Sequence, residues 1–298
     1  MRDYVDSAFS KRFVSIEPIN KGWSDDKKYC AIDADGIKYL LRVSPTSRHE
    51  SRNRLFGLMQ EVAALGVPMC LPIDFGTCDD GVYHIHSWID GEDLGQKLPQ
   101  LSKSEQYALG VKSGQFLEKI HTLSAPKEQE DWAIHFNRKV DRNIAKYMEC
   151  GFKFDGDHHI LNYLEQNRHL LEGRPQCFHH GDYHVGNMML EQGKLMIIDF
   201  DRYDFGDPWD EFNRIVWSVA ASPYFASGQL MGYFGGKPPL AFFRLLAYYI
   251  VSNTMASIPW AIAYGQDEID TMLKQSQDVL AWFDNMKNPI PTWFKENE

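Results

Sequence analysis

Apolar and polar positions along the chain follow two regimes that change near residue 90. Before it, apolar residues come in short runs bounded by turn residues, at 13–16, 29–32, 37–43, 71–76 and 81–88, with Asp35-Gly36 as a tight turn. Runs of this length, rich in β-branched and aromatic side chains, predict the strands of an antiparallel sheet. One helix interrupts them. Over residues 47–65, Leu55, Leu58, Met59 and Val62 recur at spacings of three and four and so share a face. The polar and glycine positions of Ile89-Asp90-Gly91-Glu92-Asp93-Leu94 then break the sheet pattern and mark a linker.

Beyond the linker the period is helical. Ser102-Lys103-Ser104-Glu105 reads as a capping box, and Tyr107, Val111, Gly114, Leu117 and His121 follow on one face, with His121 read as a hydrogen-bonded core histidine. Further helices are expected across 131–150, 157–172, 238–264 and 267–286, and another begins at Pro208-Trp209-Asp210. Residues 245–265 carry no charge, but Ser252, Asn253, Thr254, Ser257 and Pro259 interrupt them, which fits a buried helix of a bundle better than a membrane span. The pattern therefore predicts an α+β chain of two lobes, a sheet-rich N-terminal lobe over residues 1–89 and a helical C-terminal lobe over 90–298.

Composition narrows the partners. With 31 basic against 41 acidic side chains the net charge is −10, and no Lys/Arg cluster tracks a phosphate backbone, so nucleic acid is an improbable partner. An acidic balance concentrates a cationic substrate and equally serves solubility. The five cysteines are odd in number and widely spaced without a C-x-x-C pair, which fits reduced thiols in the cytoplasm. The charged opening Met1-Arg2-Asp3 lacks an apolar secretory segment, in line with that expectation.

The densest chemistry lies in His179-His180-Gly181-Asp182-Tyr183-His184-Val185-Gly186-Asn187 and, after a short apolar run, Ile198-Asp199-Phe200-Asp201. An Asp, an Asn five positions later and an Asp closing an apolar strand are what phosphoryl transfer requires: one group to orient a hydroxyl and two to hold Mg2+. Mg2+ prefers hard oxygen donors, which a carboxylate and an amide supply, so Asp199 and Asn187 are its expected ligands. Asp182 is the expected catalytic base, with His180 bracing its loop. Residues 194–198 read as a buried strand after a Gln192-Gly193 turn. Three other readings compete: a plain surface loop, a metal hydrolase built on His179, His180, Asp182 and His184, and a nucleotide-binding module without turnover. The hydrolase leaves Asn187 and Asp199 without a role.

His180-Gly181-Asp182-Tyr183-His184-Val185-Gly186-Asn187, Ile198-Asp199-Phe200-Asp201 and Gly206-Asp207-Pro208-Trp209-Asp210 together resemble the aminoglycoside phosphotransferase and choline kinase family, from about residue 21 to about 217. The resemblance implies a two-lobed protein-kinase-like fold and transfer of the γ-phosphate of ATP or GTP, with Mg2+, to a hydroxyl of a small, amine-bearing molecule. It points to an aminoglycoside, hence antibiotic resistance, or to a metabolic acceptor such as choline, ethanolamine, homoserine, fructosamine or an amino alcohol. Gly181 stands where protein kinases carry an Arg, and residues 201–207 leave no room for a long regulatory loop, which favours a small acceptor over a peptide.

The resemblance also implies roles along the N-terminal lobe. Gly22 and Ser24 fall in the loop that covers the nucleotide phosphates, where Asp25 and Asp26 would repel phosphate unless turned outward. Arg42, a cation inside an apolar strand, takes the place of the phosphate-binding lysine. Its acidic partner is expected on the helix over 47–65, at Glu61, because Gly57 occupies the aligned position. Ser87 and Ile89 are expected to read the base through main-chain groups. Asp201 is expected to add an oxygen to a second metal, and Asp210 to buttress the catalytic loop.

Overall fold

The computed structural model describes residues 9–20 and 26–296. It divides into two compact units, one of Met1–Asp93 with Asn187–Asp201 and one of Leu94–Gly186 with Arg202–Glu298. The chain thus leaves the second unit after Gly186, contributes fifteen residues to the first, and returns at Arg202.

Five strands form the main sheet of the first unit: β1 (Ser15–Pro18), β2 (Lys27–Ile32), β3 (Lys38–Ser44), β4 (Pro72–Cys78) and β5 (Gly81–Ser87). All pairings are antiparallel and the order is β1-β2-β3-β5-β4. Every strand expected there exists, with ends shifted by one or two residues, as is usual for element boundaries. Ala31, Leu41, Val43 and Ile85 build the core on one face with Phe9, Phe13 and Tyr29. Helix α1 (His49–Ala64) buries Arg52, Leu55, Met59 and Val62. The later strands are β6 (Glu92–Asp93), β7 (Cys177–His179), β8 (Met188–Glu191), β9 (Lys194–Ile197) and β10 (Asp204–Gly206). β6, β8 and β9 make a small antiparallel sheet in the first unit. Gln192 (φ 49°) and Gly193 (φ 80°) are both left-handed between β8 and β9, the two-residue hairpin geometry that matches strand twist.

The second unit is helical: α2 (Lys103–Ile120), α3 (Trp132–Glu149), α4 (Asp157–Gln166), α5 (Ile215–Ala221), α6 (Pro223–Phe234), α7 (Leu240–Ala261) and α8 (Gln266–Trp282). The capping box forms in full, Ser102 Oγ accepting from the Glu105 N–H while the Glu105 carboxylate accepts from the Ser102 N–H. The face buried by α2 is centred on Gly110, Ser113, Gly114 and Leu117, with Tyr107 and Val111 only half-buried. The cause is α6, whose backbone lies against the glycines: a Cβ on Gly110 would sit 2.1 Å from the Phe225 carbonyl, and one on Gly114 2.0 Å from that of Gln229. Gly228 and Gly232 of α6 meet the carbonyls of Tyr107 and Val111 in the same way. The segment after Pro208 forms a 3-10 turn over Asp210–Arg214 and becomes α-helical only at Ile215. Residues Leu240–Tyr264 are long and apolar enough to cross a membrane, but 67% of their most apolar stretch is buried within the protein.

Candidate active site

The motif residues are shared between the units, Asp182 in the second and Asn187 and Asp199 in the first. In the first unit, β3 carries Arg42 between Lys28 of β2 and His84 of β5. The C-terminal half of β3 is buried on both faces, so the guanidinium is 6% exposed and must be paired. Its Nη2 donates to Asp26 at 3.1 Å and to Asp201, and its Nη1 lies 3.6 Å from Asp199. Arg52 of α1 closes a network with the same acids, donating to Asp26 at 2.6 Å and to Asp201 at 3.0 Å. Ser44 adds its hydroxyl to Asp26 (2.8 Å) and accepts from Arg52 Nε (3.1 Å). Two buried cations and two acids thus fix one another, the condition under which buried charge is tolerated.

Two expectations are corrected by this network. The acid on Arg42 is Asp26, not Glu61. Glu61 is exposed, and at 100° per residue it lies nine residues, half a turn, around α1 from the inward-facing Arg52. Asp26 does not turn outward; its charge is consumed inside the unit by Arg42 and Arg52. Asp201, expected to add an oxygen to a second metal, has one carboxylate oxygen on each guanidinium and so bridges them. Gly22 and Ser24 lie outside the described residues.

A cavity of about 220 Å³ opens beside the network. Leu40, Leu55, Met59 and Ile198 give it apolar walls, Lys28, Arg42 and Asp199 charged ones, and Ser87 and Ile89 also line it. Sequence reasoning missed Lys28, whose only signal is its place across from Arg42. Burial lowers the Lys28 pKa, as does the neighbouring Arg42 charge. The Ser87 hydroxyl accepts from the Leu71 N–H (2.8 Å) and its own N–H donates back to Leu71 (2.9 Å). β5 ends there, so the peptide groups of Ile89 lie beyond the ladder. Behind them His84 Nδ1 and His86 Nε2 are 2.6 Å apart, and burial holds both imidazoles well below their ordinary pKa, that of His86 at about 3.

Asp199 follows β9 in a left-handed conformation, φ 65°, which a non-glycine residue adopts at a cost of about 1 kcal/mol or more. Its Oδ1 is buried without a hydrogen-bond partner. Asn187 is tied to the end of the same hairpin, its carbonyl accepting from the Ile198 N–H at 3.1 Å. A carboxylate oxygen without a hydrogen-bond donor, with only the Arg42 guanidinium 3.6 Å away, is a hard ligand that fits a divalent cation such as Mg2+.

In the second unit, the turn that presents Asp182 is held on every side. Gly181 has φ 85°, and a Cβ there would meet the Arg202 carbonyl at 1.8 Å, so no other residue fits. The Gly181 N–H donates to both oxygens of Glu211, at 3.0 and 3.2 Å. Glu211, 3% exposed, is therefore the buttress assigned from sequence to Asp210, which is instead bonded to Asn213 and 3.7 Å from Lys139. His180 is fully buried and its Nδ1 accepts from the Asp182 N–H at 3.3 Å. Tyr183 anchors the turn to α2 through the Ser113 carbonyl, 2.8 Å.

Asp182 faces His184 Nε2 (3.6 Å), Arg214 Nε (3.5 Å) and Arg202 Nε (3.9 Å). Because His184 Nδ1 accepts from the Gly186 N–H, the ring proton belongs on Nε2, toward the carboxylate. Burial raises the Asp182 pKa, but His184 and the two arginines outweigh it and hold the carboxyl well below the usual range. His179 does not join this group: it lies with His121 and Cys177, so the four ligands of the hydrolase reading are not gathered.

Several solved structures share the architecture. A thermostable mutant of the aminoglycoside phosphotransferase APH(4)-Ia, in its apo form, superposes with a TM-score of 0.65 at 16% identity, over 94% of this chain and 98% of that one. The amicoumacin kinase hAmiN, in complex with AMP-PNP, Ca2+ and Ami, gives 0.66 at 13% identity over 99% and 96%. The gentamicin complex of APH(2'')-IIa gives 0.65 at 17% over 92% and 95%. These likenesses establish the protein-kinase-like α+β fold. The chain matches no curated protein sequence. The model of the phosphotransferase enzyme family matches residues 15–243, well over half the chain and inclusive of every motif residue described above. The chain belongs to the phosphotransferase enzyme family and is a small-molecule kinase.

Proposed function

We propose that the protein transfers the γ-phosphate of ATP or GTP to a hydroxyl of a small, amine-bearing acceptor such as an aminoglycoside. The observation that carries this reading is the Asp182 turn, a carboxylate fixed by Gly181, His180 and Glu211 and kept ionised by three basic side chains. A carboxylate held so far below neutrality is a weak base and a good orienting group. That suits a loose transition state, in which the hydroxyl proton departs late and positioning supplies most of the rate.

Arg42 and Lys28 are the phosphate-binding cations of the first unit, and the apolar walls with the free peptide of Ile89 suit a purine. Asn187 and Asp199 would hold Mg2+, which supplies charge neutralisation at the phosphate oxygens. Nucleotide entry must share Arg42 between phosphate and its resident acids, so the Asp26 and Asp201 bridge serves to keep the guanidinium placed in the meantime. Arg202 and Arg214 add positive charge where negative charge develops on the transferred group. The net charge of −10 supports an amine-bearing acceptor. Metabolic amino alcohols remain the second class of acceptor.

The test is ADP or GDP release with Mg2+ across aminoglycosides, choline, ethanolamine and amino alcohols, repeated with Asp182→Asn. Turnover on an amine-bearing alcohol that disappears in the variant supports the reading. Absence of nucleotide-dependent turnover throughout the panel, or an unaffected variant, contradicts it.

A further inference from the structure

Beneath the Asp182 turn the second unit contains a cluster that hydrogen bonding leaves incomplete, next to the Glu211 that buttresses that turn. Cys177 and His179 stand two residues apart on β7, so strand alternation puts both on one face. His121, immediately after α2, joins them, and one potential ligand atom from each lies within 4.8 Å of the other two. Cys177 and His179 are buried, and the side chain of His121 is 4% exposed. Nε2 of His121 and Nε2 of His179 are both buried without a hydrogen-bond partner. Glu211 lies alongside, Oε2 3.8 Å from His121 Nε2, too far for a hydrogen bond.

Charge makes the gap sharper. Glu211 is a buried carboxylate whose two oxygens share the N–H of Gly181. A buried carboxylate beside two imidazole nitrogens that lack hydrogen-bond partners is a donor set suited to a cation.

We infer that His121, Cys177 and His179, completed by Glu211, hold a zinc ion inside the helical unit. One thiolate, two imidazoles and one carboxylate are the donor types zinc accepts in a closed tetrahedral site. On binding, the Cys177 S–H bond breaks, sulfur keeps the electron pair and bonds to the metal, and one proton leaves to solvent. The thiolate and Glu211 then carry two negative charges against the two positive charges of the ion, and the interior is neutral. Bonds of about 2.0–2.3 Å require the donors to draw together by roughly 1 Å from their present spacing. His121 is already oriented for this: its Nδ1 is 2.9 Å from the Tyr233 hydroxyl, the outer hydrogen bond that fixes a ligating imidazole. With four protein donors there is no open position, so the ion is structural. It ties β7 and the end of α2 to the residue that supports Gly181.

The experiment uses the full chain without an affinity tag, purified without chelator. Elemental analysis is expected to find close to one equivalent of zinc per chain. After removal of the metal, titration with Co2+ alone is expected to give a thiolate-to-cobalt charge-transfer band in the near ultraviolet, which Mg2+ does not produce. Cys177→Ser removes that band, and Tyr233→Phe, which keeps all four donors, weakens Co2+ binding by roughly 10–100-fold. A chain that carries no zinc and gives no thiolate band overturns the inference whatever the variants do. So does an unchanged band in Cys177→Ser, which would place the metal on another of the five cysteines. None of these readouts requires kinase activity, so the site stands or falls apart from the proposed reaction.

Discussion

Gly181→Ala offers the most direct test of how the catalytic turn is built. Two costs are expected, and they are separable. The left-handed conformation, φ 85°, costs an alanine about 1–2 kcal/mol. The new Cβ would also start 1.8 Å from the Arg202 carbonyl, where ordinary contacts begin at 3.4 Å, so the turn and the Arg202 backbone must separate by more than 1 Å. A displacement of that size at a reacting group costs on the order of 10²-fold in rate. Gly193→Ala supplies the control, since Gly193 has φ 80° and nothing within 4 Å of its Cβ position. Both variants are expected to lose about 1–2 kcal/mol in denaturant titrations, with a further loss for Gly181→Ala. Only Gly181→Ala is expected to lose roughly 10²-fold in kcat, while nucleotide affinity measured by calorimetry stays within about twofold. Equal turnover in the two variants, or wild-type turnover in Gly181→Ala, would refute the claim that the Arg202 contact sets the position of Asp182.

Asp182→Ala should lower kcat by roughly 10²–10⁴-fold with nucleotide binding retained, which calorimetry with a magnesium nucleotide checks. Because the Asp182 carboxyl is held below its ordinary pKa, it stays ionised above about pH 4, and its stabilising contribution is lost only as pH falls through the lowered value. Arg214→Ala removes one of the charges responsible, so the acid limb of the kcat/KM profile should move to higher pH; an unmoved limb would mean that Arg214 is not felt by Asp182. Arg52→Ala takes one of three guanidiniums from the fully buried Asp26, leaving Arg42 and the more distant Arg48, and should cost about 3 kcal/mol in chemical denaturation. Glu61→Ala should leave both stability and nucleotide affinity unchanged, and a tenfold loss of affinity would restore Glu61 to the site.

How much of this was legible in sequence depends on how local each determinant is. The Asp182, Asn187 and Asp199 motif carries its chemistry within eighteen positions, and the strands of the main sheet carry their own period, so both could be read directly. β7 and β8, at three and four residues, are too short to show a period. α6 escaped because its sequence is apolar and small all round, with Gly228 and Gly232 reading as helix breakers when they are what lets α2 approach. The Arg42 partner could not be found by scanning α1 for an acid, because the helix offers a second cation and the acid, Asp26, lies just before β2.

The same logic separates Asp210 from Glu211. Position in the motif singled out Asp210, but the Asp210–Arg214 segment is a 3-10 turn, with three residues per turn where an α-helix has 3.6. The tighter winding rotates successive side chains by 120° instead of 100°, which changes which neighbouring acid faces the Gly181 N–H. Asp207, fixed by a bidentate Arg174 (2.6 and 2.9 Å) and by the Tyr249 hydroxyl, holds the start of that turn, and its carbonyl accepts from the Asp210 N–H at 2.8 Å. The orientation of the catalytic carboxylate therefore traces back through Glu211 to a buried ion pair on Asp207. Loosening Arg174 should consequently be felt as a loss of kcat at Asp182 before any loss of nucleotide affinity.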